Sequence, residues 1–548
     1  LIKEFTKNQN SLQNKWLEFQ ESVFKHIKLF IDKDEDYQYF LTNLFFEGSV
    51  YKTNSIYNFF KLYLIIKFIK DENLECITLV DVSKEVEDFF KINKDILNLS
   101  IEIITFKKKE ISIIEIIKKY YTSSPLIYLL KKFRKLIKKN NYKNVQTNRV
   151  VFCQYVAGSQ DFNRGFYSKY FQKVSLLLNQ NYSWLFHGVG KISEKKECIN
   201  LIKSRINTYG FLNEYFSLND IWRASFRYYK IKKKLKKIKL KNIFIFEKIN
   251  FYSLFSEDWI KSISSPLLDI LFFEIKFTNF LKANRKVKEI LYLMEFQPWE
   301  LMLNKVSKKF GIKTKGTTHI NIRPNLMQYY NSKLIHSHLY LPTIVGVNSE
   351  FCKEIFIKNG FNIEKLINIE AQRYNYLLDS DETSYNKKAI LIVTSINPVE
   401  TKEMLEVFSS TKSNVYFEKI YIKEHPSLPV NHIINSSIKD FPPYEVIFGS
   451  MIDAFKYSDI VYTSNGSSTL LESVLCKKNT VTLITLSSLP TPAFDKAPNL
   501  HFVYDKISLS ETFIKLIKDQ NIKNFNFNLK KNLYLNKNLN LWSKFLEI

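Results

Sequence analysis

The sequence predicts an α/β fold built from two doubly wound, Rossmann-like domains facing a central cleft. Three observations predict it. Short apolar, β-rich runs alternate with stretches of helical spacing along most of the chain. From Pro342 onward the alternation becomes regular, with a glycine or proline closing or opening many of the elements. Two strand ends in that region, at Lys423 to Pro426 and at Thr463 to Thr469, carry polar residues where open α/β sheets bind ligands.

Size and composition bound the rest. At 548 residues the chain can hold two or three cored domains. A hydrophobic fraction of 45% excludes a disordered chain. The formal charge is +27, from 81 Lys and Arg against 54 Asp and Glu. That balance points to an anionic partner: nucleic acid, an anionic membrane face or nucleotide-activated substrates. The abundance of Lys, Asn, Ile, Phe and Tyr with only 12 glycines also fits AT-rich coding, which accounts for part of the charge. Cys76, Cys153, Cys198, Cys352 and Cys476 lie far apart without a Cys-x-x-Cys pair. This argues against a zinc site or disulfide framework and fits a reducing cytoplasm. His319, His336 and His338 lack a carboxylate or cysteine pattern, so no metal is expected. The N-terminus carries no signal-peptide pattern, and every long apolar run is broken by charge.

The elements follow in order. Leu1 to about Lys70 has helical spacing around Phe19, Phe24 and Phe30. Strands are expected at Glu75 to Val82, Leu99 to Phe106, Arg149 to Tyr155, Tyr182 to His187, Lys241 to Glu247 and Val287 to Met294. Pro125 to Lys139 and Tyr228 to Asn242 read as basic amphipathic helices. The first has Leu126, Leu129, Leu130 and Phe133 among lysines; the second has Ile231, Leu235 and Ile238. Each fits docking on anionic lipid about as well as packing an apolar stripe on the core. A polar loop containing Asp161 and Arg164 follows the strand ending at Tyr155. Further strands are expected at Ile312 to Thr314, Thr343 to Asn348, Ala389 to Val393, Val415 to Lys423, Tyr444 to Phe448, Ile460 to Tyr462 and Thr480 to Thr485. The predicted division is an acceptor-side domain at 1–342, a nucleotide-sugar-binding domain at 343–510 and a helical or loop tail at 511–548.

Asp459 to Glu472 is the stretch around which the rest is organised. A strand passes through Ser464, Asn465, Gly466, Ser467 and Ser468 into a helix opening at Thr469. Such a junction aims backbone N–H groups at one point, suiting phosphate. Glu472 falls one turn in on the face of Ser468, within reach of a sugar hydroxyl. Taken alone, the same residues make an ordinary N-cap. The second junction shifts the balance: Lys423, His425 and Pro426 end one strand, and Thr394 and Ser395 end another. Upstream, Glu295 and Glu300 flank Gln297, Pro298 and Trp299 at a strand end, where a carboxylate can serve as general base. Helix capping explains these two acids equally well when they are considered alone.

These residues resemble a known group. His425-Pro426 with Ser467-Ser468-Thr469 is similar to the His-Pro and Ser-Ser/Thr motifs of bacterial sialyl-, polysialyl- and Kdo-type transferases, which have the GT-B fold and use CMP-activated sugars. Glu295-Phe-Gln-Pro-Trp-Glu300 followed by Gly316 to His319 resembles a bacterial surface carbohydrate biosynthesis family linked to O-antigen and capsule clusters. Phe162 to Phe171 and Trp184 to His187 resemble it too. The likeness spans about Val150 to Leu500. It departs at Glu47-Gly48, where the transferases have two acidic residues before glycine, and at Ile320, where serine is expected.

The resemblance implies a metal-independent, inverting glycosyltransferase. Its donor would be a nucleotide-sugar co-substrate, with no cofactor, and its acceptor a glycan or lipid-linked glycan. The donor side would comprise Thr394, Ser395, Lys423, His425, Pro426 and Ser464 to Thr469 with Glu472. The catalytic set would be Glu295, Glu300 and His425, and the acceptor side Gln297, Trp299, His319, Asp161 and Arg164. The location implied is cytoplasmic, peripheral on the inner membrane face. Alternatives are a polyol-phosphate (teichoic-acid-type) transferase and an NDP-sugar transferase or epimerase. From another class, a basic membrane- or nucleic-acid-binding protein without catalysis remains; nucleic acid is not expected, because the basic runs lack interleaved aromatic platforms.

Overall fold

The computed structural model describes residues 8–29, 39–49, 52–105, 124–137, 148–156, 168, 170–179, 181–188, 209–235, 238–320, 322, 326–379, 388–411, 416–426, 428–438, 440–465, 467–485, 497–518 and 533–548. Near the N-terminus, β1 (Cys76–Val80) and β2 (Ser100–Ile104) pair in parallel across the Lys84–Leu97 helix. Helices Gln9–Lys28, Ser55–Asp71 and Tyr252–Ser262 converge on Trp16, Phe19, Phe45, Phe59 and Phe255. Neighbouring rings there sit 5.0 to 5.6 Å apart, a spacing that favours tilted and edge contacts. Glu47 and Gly48 end the short Leu44–Glu47 helix that carries Phe45.

The first large sheet uses β3 (Val150–Val156), β4 (Tyr182–Gly188) and β5 (Tyr209–Phe211). After a small hairpin of β6 (Ile245–Phe246) and β7 (Ile249–Asn250), it continues with β8 (Glu289–Leu293), β9 (Lys313–Thr317), β10 (Ile344–Val347) and β11 (Leu366–Asn368). Its order is β11-β10-β9-β8-β3-β4-β5, all parallel. The second sheet contains β12 (Ala389–Val393), β13 (Lys419–Lys423), β14 (Glu445–Val446), β15 (Ile460–Ser464), β16 (Asn479–Leu483) and β17 (Leu500–Val503). Its order is β14-β13-β12-β15-β16-β17, again all parallel. The architecture is the predicted pair of doubly wound units. Counted within each sheet, the strands run 3-2-1-4-5-6, with a seventh at the edge of the first. Strand order therefore reverses between β3 and β8, and between β12 and β15, which is where such sheets open a ligand crevice. β12 and β15 are buried at every position, as parallel strands covered on both faces require.

Three expectations need correction. The boundary at residue 343 falls too early: β10 and β11 pair into the first sheet, and the second begins at Ala389. The rhythm of strand and helix is the same in both units, so periodicity cannot say which sheet a strand joins. Lys241 to Glu247 is a helical turn, Leu240–Ile243, running into the short β6. The second basic helix is Leu218–Leu235, and Ile231, Leu235 and Ile238 are core residues.

The tail is not a separate region. The Lys506–Lys518 helix packs Leu509, Phe513 and Leu516 on the second sheet, and the chain then returns to the first. Tyr534 donates its N–H to Asn348 at 2.8 Å. Buried Glu370 accepts the N–H groups of Leu541 and Trp542 at 2.8 and 2.9 Å, capping the Asn540–Leu546 helix from outside. Trp542 and Phe545 pack against Phe171, Leu291 and Ile369. Gly346 permits this approach, since a Cβ there would lie 2.9 Å from Ile369 and 3.2 Å from Phe545.

Candidate functional site

At the first crevice, β8 ends and the chain turns through Glu295 and Phe296. Phe296 has φ +59°, a left-handed conformation that is rare for a bulky residue and costs on the order of 1–2 kcal/mol. Glu300 holds this turn. Its carboxylate accepts the N–H of Glu295 at 3.0 Å and that of Phe296 at 2.9 Å. Burial, then the charge of Glu295, pushes the Glu300 carboxyl well above the ordinary range. Predicted as a catalytic carboxylate, Glu300 is 2% exposed and faces backbone, so it braces the turn that aims Glu295.

Glu295 meets His319 just beyond the end of β9. The Glu295 Oε1 to His319 Nε2 distance is 3.2 Å, and Gln297 Nε2 donates to Glu295 Oε2 at 2.7 Å. Burial opposes ionisation of Glu295 most, yet His319, Gln297 and Lys52 together outweigh it and hold the carboxyl below its ordinary value. His319 Nδ1 is buried without a hydrogen-bond partner, and Tyr170 packs edge-on against the ring at 4.9 Å. Trp299, predicted on the acceptor side, is buried between His187, at 4.3 Å, and Tyr292. Burial, with Lys276 second, lowers His187 to about 3, so this imidazole is neutral packing for the sheet edge.

Glu47 and Lys52, outside the predicted set, join this cluster. They form an ion pair with each other, and each acts electrostatically on Glu295. Burial raises the Glu47 carboxyl, Lys52 opposes the rise and Glu295 adds to it. Gly48, at φ +64°, closes the helix against the Met327 backbone and fixes where Glu47 ends. The sequence names Glu47-Gly48 only as a departure from a motif; its approach to Glu295 comes from folding across 248 positions.

At the second crevice, Thr394 and Ser395 follow β12, and Ser464 ends β15. The Ser464 hydroxyl is buried without a hydrogen-bond partner, an arrangement that costs about 1–3 kcal/mol unless a ligand satisfies it. Ser467 Oγ accepts the Thr469 N–H at 3.2 Å and closes its own turn. Ser468 Oγ lies 3.3 Å from Arg373 Nη2. Asn465 is buried and Thr469 opens a helix of only seven residues. Gly466, Asp161 and Arg164 lie outside the described residues.

The remaining donor-side residues sit differently from expectation. β12 separates β13 from β15, so His425 is two strand spacings, about 10 Å, from the Ser464 strand. Its N–H donates to Thr394 Oγ1 at 3.2 Å. Lys423 turns outward and donates to the Gly449 carbonyl at 2.8 Å, with burial lowering its ammonium. Pro426 is exposed. Ser395 accepts the Asn397 N–H at 3.1 Å and serves its own loop. Glu472, predicted to meet a sugar hydroxyl, is 4% exposed and hydrogen-bonded to Tyr376 of the segment linking the two units.

Arg373, on that linking segment, ties the crevices together. It reaches Ser468 of the second unit and lies in the electrostatic range of Tyr170 of the first. Burial works against its charge, but Tyr374, Tyr170 and Glu472 outweigh burial and keep the guanidinium protonated. No spacing pattern marks Arg373 in the sequence; it is a single arginine in Ala-Gln-Arg-Tyr-Asn-Tyr.

Comparison with protein-family models finds no match, and comparison with curated proteins finds none. Among solved structures, the chain is similar to the S. aureus MnaA–UDP co-structure at 10% identity and TM-score 0.43, over 73% of this chain and 95% of that one. It is similar to a UDP-GlcNAc 2-epimerase from Neisseria meningitidis at 12% identity and TM-score 0.36, over 67% and 91%. Acinetobacter baumannii MurG matches at 12% identity and TM-score 0.35, over 68% and 91%. At these identities and scores the likeness carries no conclusion about activity.

Proposed function

We propose that the chain is a glycosyltransferase that moves a sugar from a nucleotide-activated donor, CMP-linked in the first instance, to a glycan or lipid-linked acceptor of surface polysaccharide synthesis. The observation that carries this reading is the Glu295–His319 pair at 3.2 Å, beside the crevice of the first sheet. A carboxylate that fixes one imidazole nitrogen leaves the other to take a proton, as general-base catalysis on an acceptor hydroxyl requires. The acceptor oxygen then bonds to the anomeric carbon as the bond from that carbon to the donor phosphate breaks. The electron pair leaves with the phosphate, and the acceptor proton goes to His319 Nδ1. Arg373, with the Ser468 hydroxyl, answers the growing phosphate charge. Relative to the sequence expectation, the base is the Glu295–His319 pair rather than a carboxylate alone, and Arg373 rather than the donor-side Lys423 and His425 answers the phosphate.

Arg373→Gln should weaken donor binding about 10- to 150-fold, the loss of one charge-assisted hydrogen bond, measured by titration calorimetry. Unchanged affinity would remove Arg373 from the donor site.

A second reading has one observation of its own. Glu47 and Glu295 are near neighbours whose carboxyls are shifted in opposite directions, one up and one down, the arrangement that suits an acid and a base. Proton transfer on a nucleotide-sugar, as in epimerisation, would use it. Product formed from the nucleotide-sugar with no acceptor present selects that reading; a strict acceptor requirement selects transfer.

A further inference from the structure

Two helices of the first unit carry apolar side chains on the wrong side for a core. The Pro125–Ile137 helix is anchored on the Ser265–Ala283 helix through Tyr128, which bonds Asp269 and stacks on Phe272, and through Lys132, 3.5 Å from Asp269. The Leu218–Leu235 helix lies on the same support. It buries Ile221, Ala224, Tyr228 and Ile231, and Arg227 reaches Glu274 at 3.0 Å. The two helices also touch one another.

Each helix has a second apolar stripe turned away from that support. On the first helix it is Leu126, Leu130 and Phe133; on the second it is Trp222, Phe226 and Tyr229. These six side chains are between 41% and 75% exposed. Steps of three and four residues put each set on one helical face. A soluble surface rarely leaves three large apolar groups along one helical face, and here two touching helices each do so. The surrounding charge is positive: Lys131, Arg223, Lys230 and Lys233 are exposed along the same helices, and Lys230 Nζ sits 4.4 Å over the Phe226 ring.

We propose that this patch docks the protein on an anionic phospholipid bilayer. Aromatic and branched side chains enter the interfacial region while lysine and arginine meet the headgroup phosphates, which is the signature of helices that lie in a membrane surface. Charge selects this occupant, because an apolar protein partner or a second copy of this basic chain gains nothing from a cationic rim. No described helix is long and apolar enough to cross a membrane, so attachment is to one face. The lipid-facing residues differ from those the sequence suggests on the second helix. Ile231 and Leu235 are buried, and the stripe one face round is the one left open. The inference stands apart from the catalytic reading, because none of these residues belongs to either crevice.

The test is co-sedimentation of the whole chain with vesicles of phosphatidylcholine containing phosphatidylglycerol, against vesicles of phosphatidylcholine alone. The chain should sediment with the anionic vesicles and be released by salt. Trp222→Ser with Phe226→Ser, and separately Lys230→Glu with Lys233→Glu, should each lower the partition coefficient by about tenfold or more. Both pairs lie on exposed positions and should keep the wild-type melting temperature and nucleotide binding. Equal binding to both vesicle types overturns the proposal. So does equal binding by the variants, or a concentration-dependent dimer that these substitutions abolish.

Discussion

Glu295→Gln is expected to lower the transfer rate by about 10²- to 10⁴-fold, the usual contribution of general-base catalysis. His319→Ala should cost a similar factor, and the double variant should be little worse than the poorer single, because the two side chains act as one unit. Donor affinity should survive all three changes, since neither residue contacts the second crevice. The pH dependence follows from the direction of the shift. The Glu295 carboxyl is held below its ordinary value. Its folded pKa is thus lower than its unfolded one, so its stabilising contribution is complete above the ordinary carboxylate range. It is lost as pH falls through the depressed folded value. Glu295→Gln should erase that acid-side loss of stability. Multiplicative losses in the double variant would mean that the residues act separately.

Glu289→Ala is expected to destabilise the protein by up to about 3–5 kcal/mol in denaturant unfolding, because it leaves a buried cation with only a more distant carboxylate, Glu547. Lys315 is fully buried, with Glu289 Oε2 at 3.0 Å and the Phe545 carbonyl at 2.9 Å from its ammonium. Glu547 stands further out, at 3.7 Å. Lys315→Met alone should cost less, because the Glu289 carboxylate it leaves is 14% exposed, and adding it to Glu289→Ala should recover most of the loss, since the buried cation is then gone. The site is affected as well. Lys315 lies on β9, the strand that delivers His319, and it ties that strand to the returning C-terminal helix. Glu289→Ala should therefore also reduce turnover, without changing which nucleotide binds. If Lys315→Met proves as damaging as Glu289→Ala, the cation itself contributes to stability and the stranded-charge explanation fails.

Much of the architecture was legible because parallel strands buried on both faces read as unbroken apolar runs. Ala389 to Val393 is of this kind, and Arg149 to Tyr155 nearly so, its apolar run broken only by Gln154; both regions became strands. Membership was not legible. Ile344 to Val347 looks like Ala389 to Val393 to any local measure, and only long-range pairing assigns it to the first sheet. The turn at Glu295 was legible from Pro298 and the acids around it. The division of labour within that turn was not, because it depends on Phe296 adopting a left-handed conformation and on which carboxylate points inward. Spacing cannot distinguish a strand end at the crevice from one a strand further out, which is why His425 and Lys423 looked more central than they are. Glu47, Lys52 and Arg373 reach the site from distant segments, and no local pattern announces them.

The central claim is that one anionic nucleotide ligand is held by Arg373 and Ser468, while the Glu295–His319 pair serves the acceptor. Titration calorimetry of the whole chain with CMP, CDP, UDP and GDP tests it most directly, repeated on Arg373→Gln and Glu295→Gln. The account predicts that at least one nucleotide binds, more weakly to Arg373→Gln and unchanged to Glu295→Gln. A chain that binds none of them, or binds one with an affinity indifferent to Arg373, contradicts it.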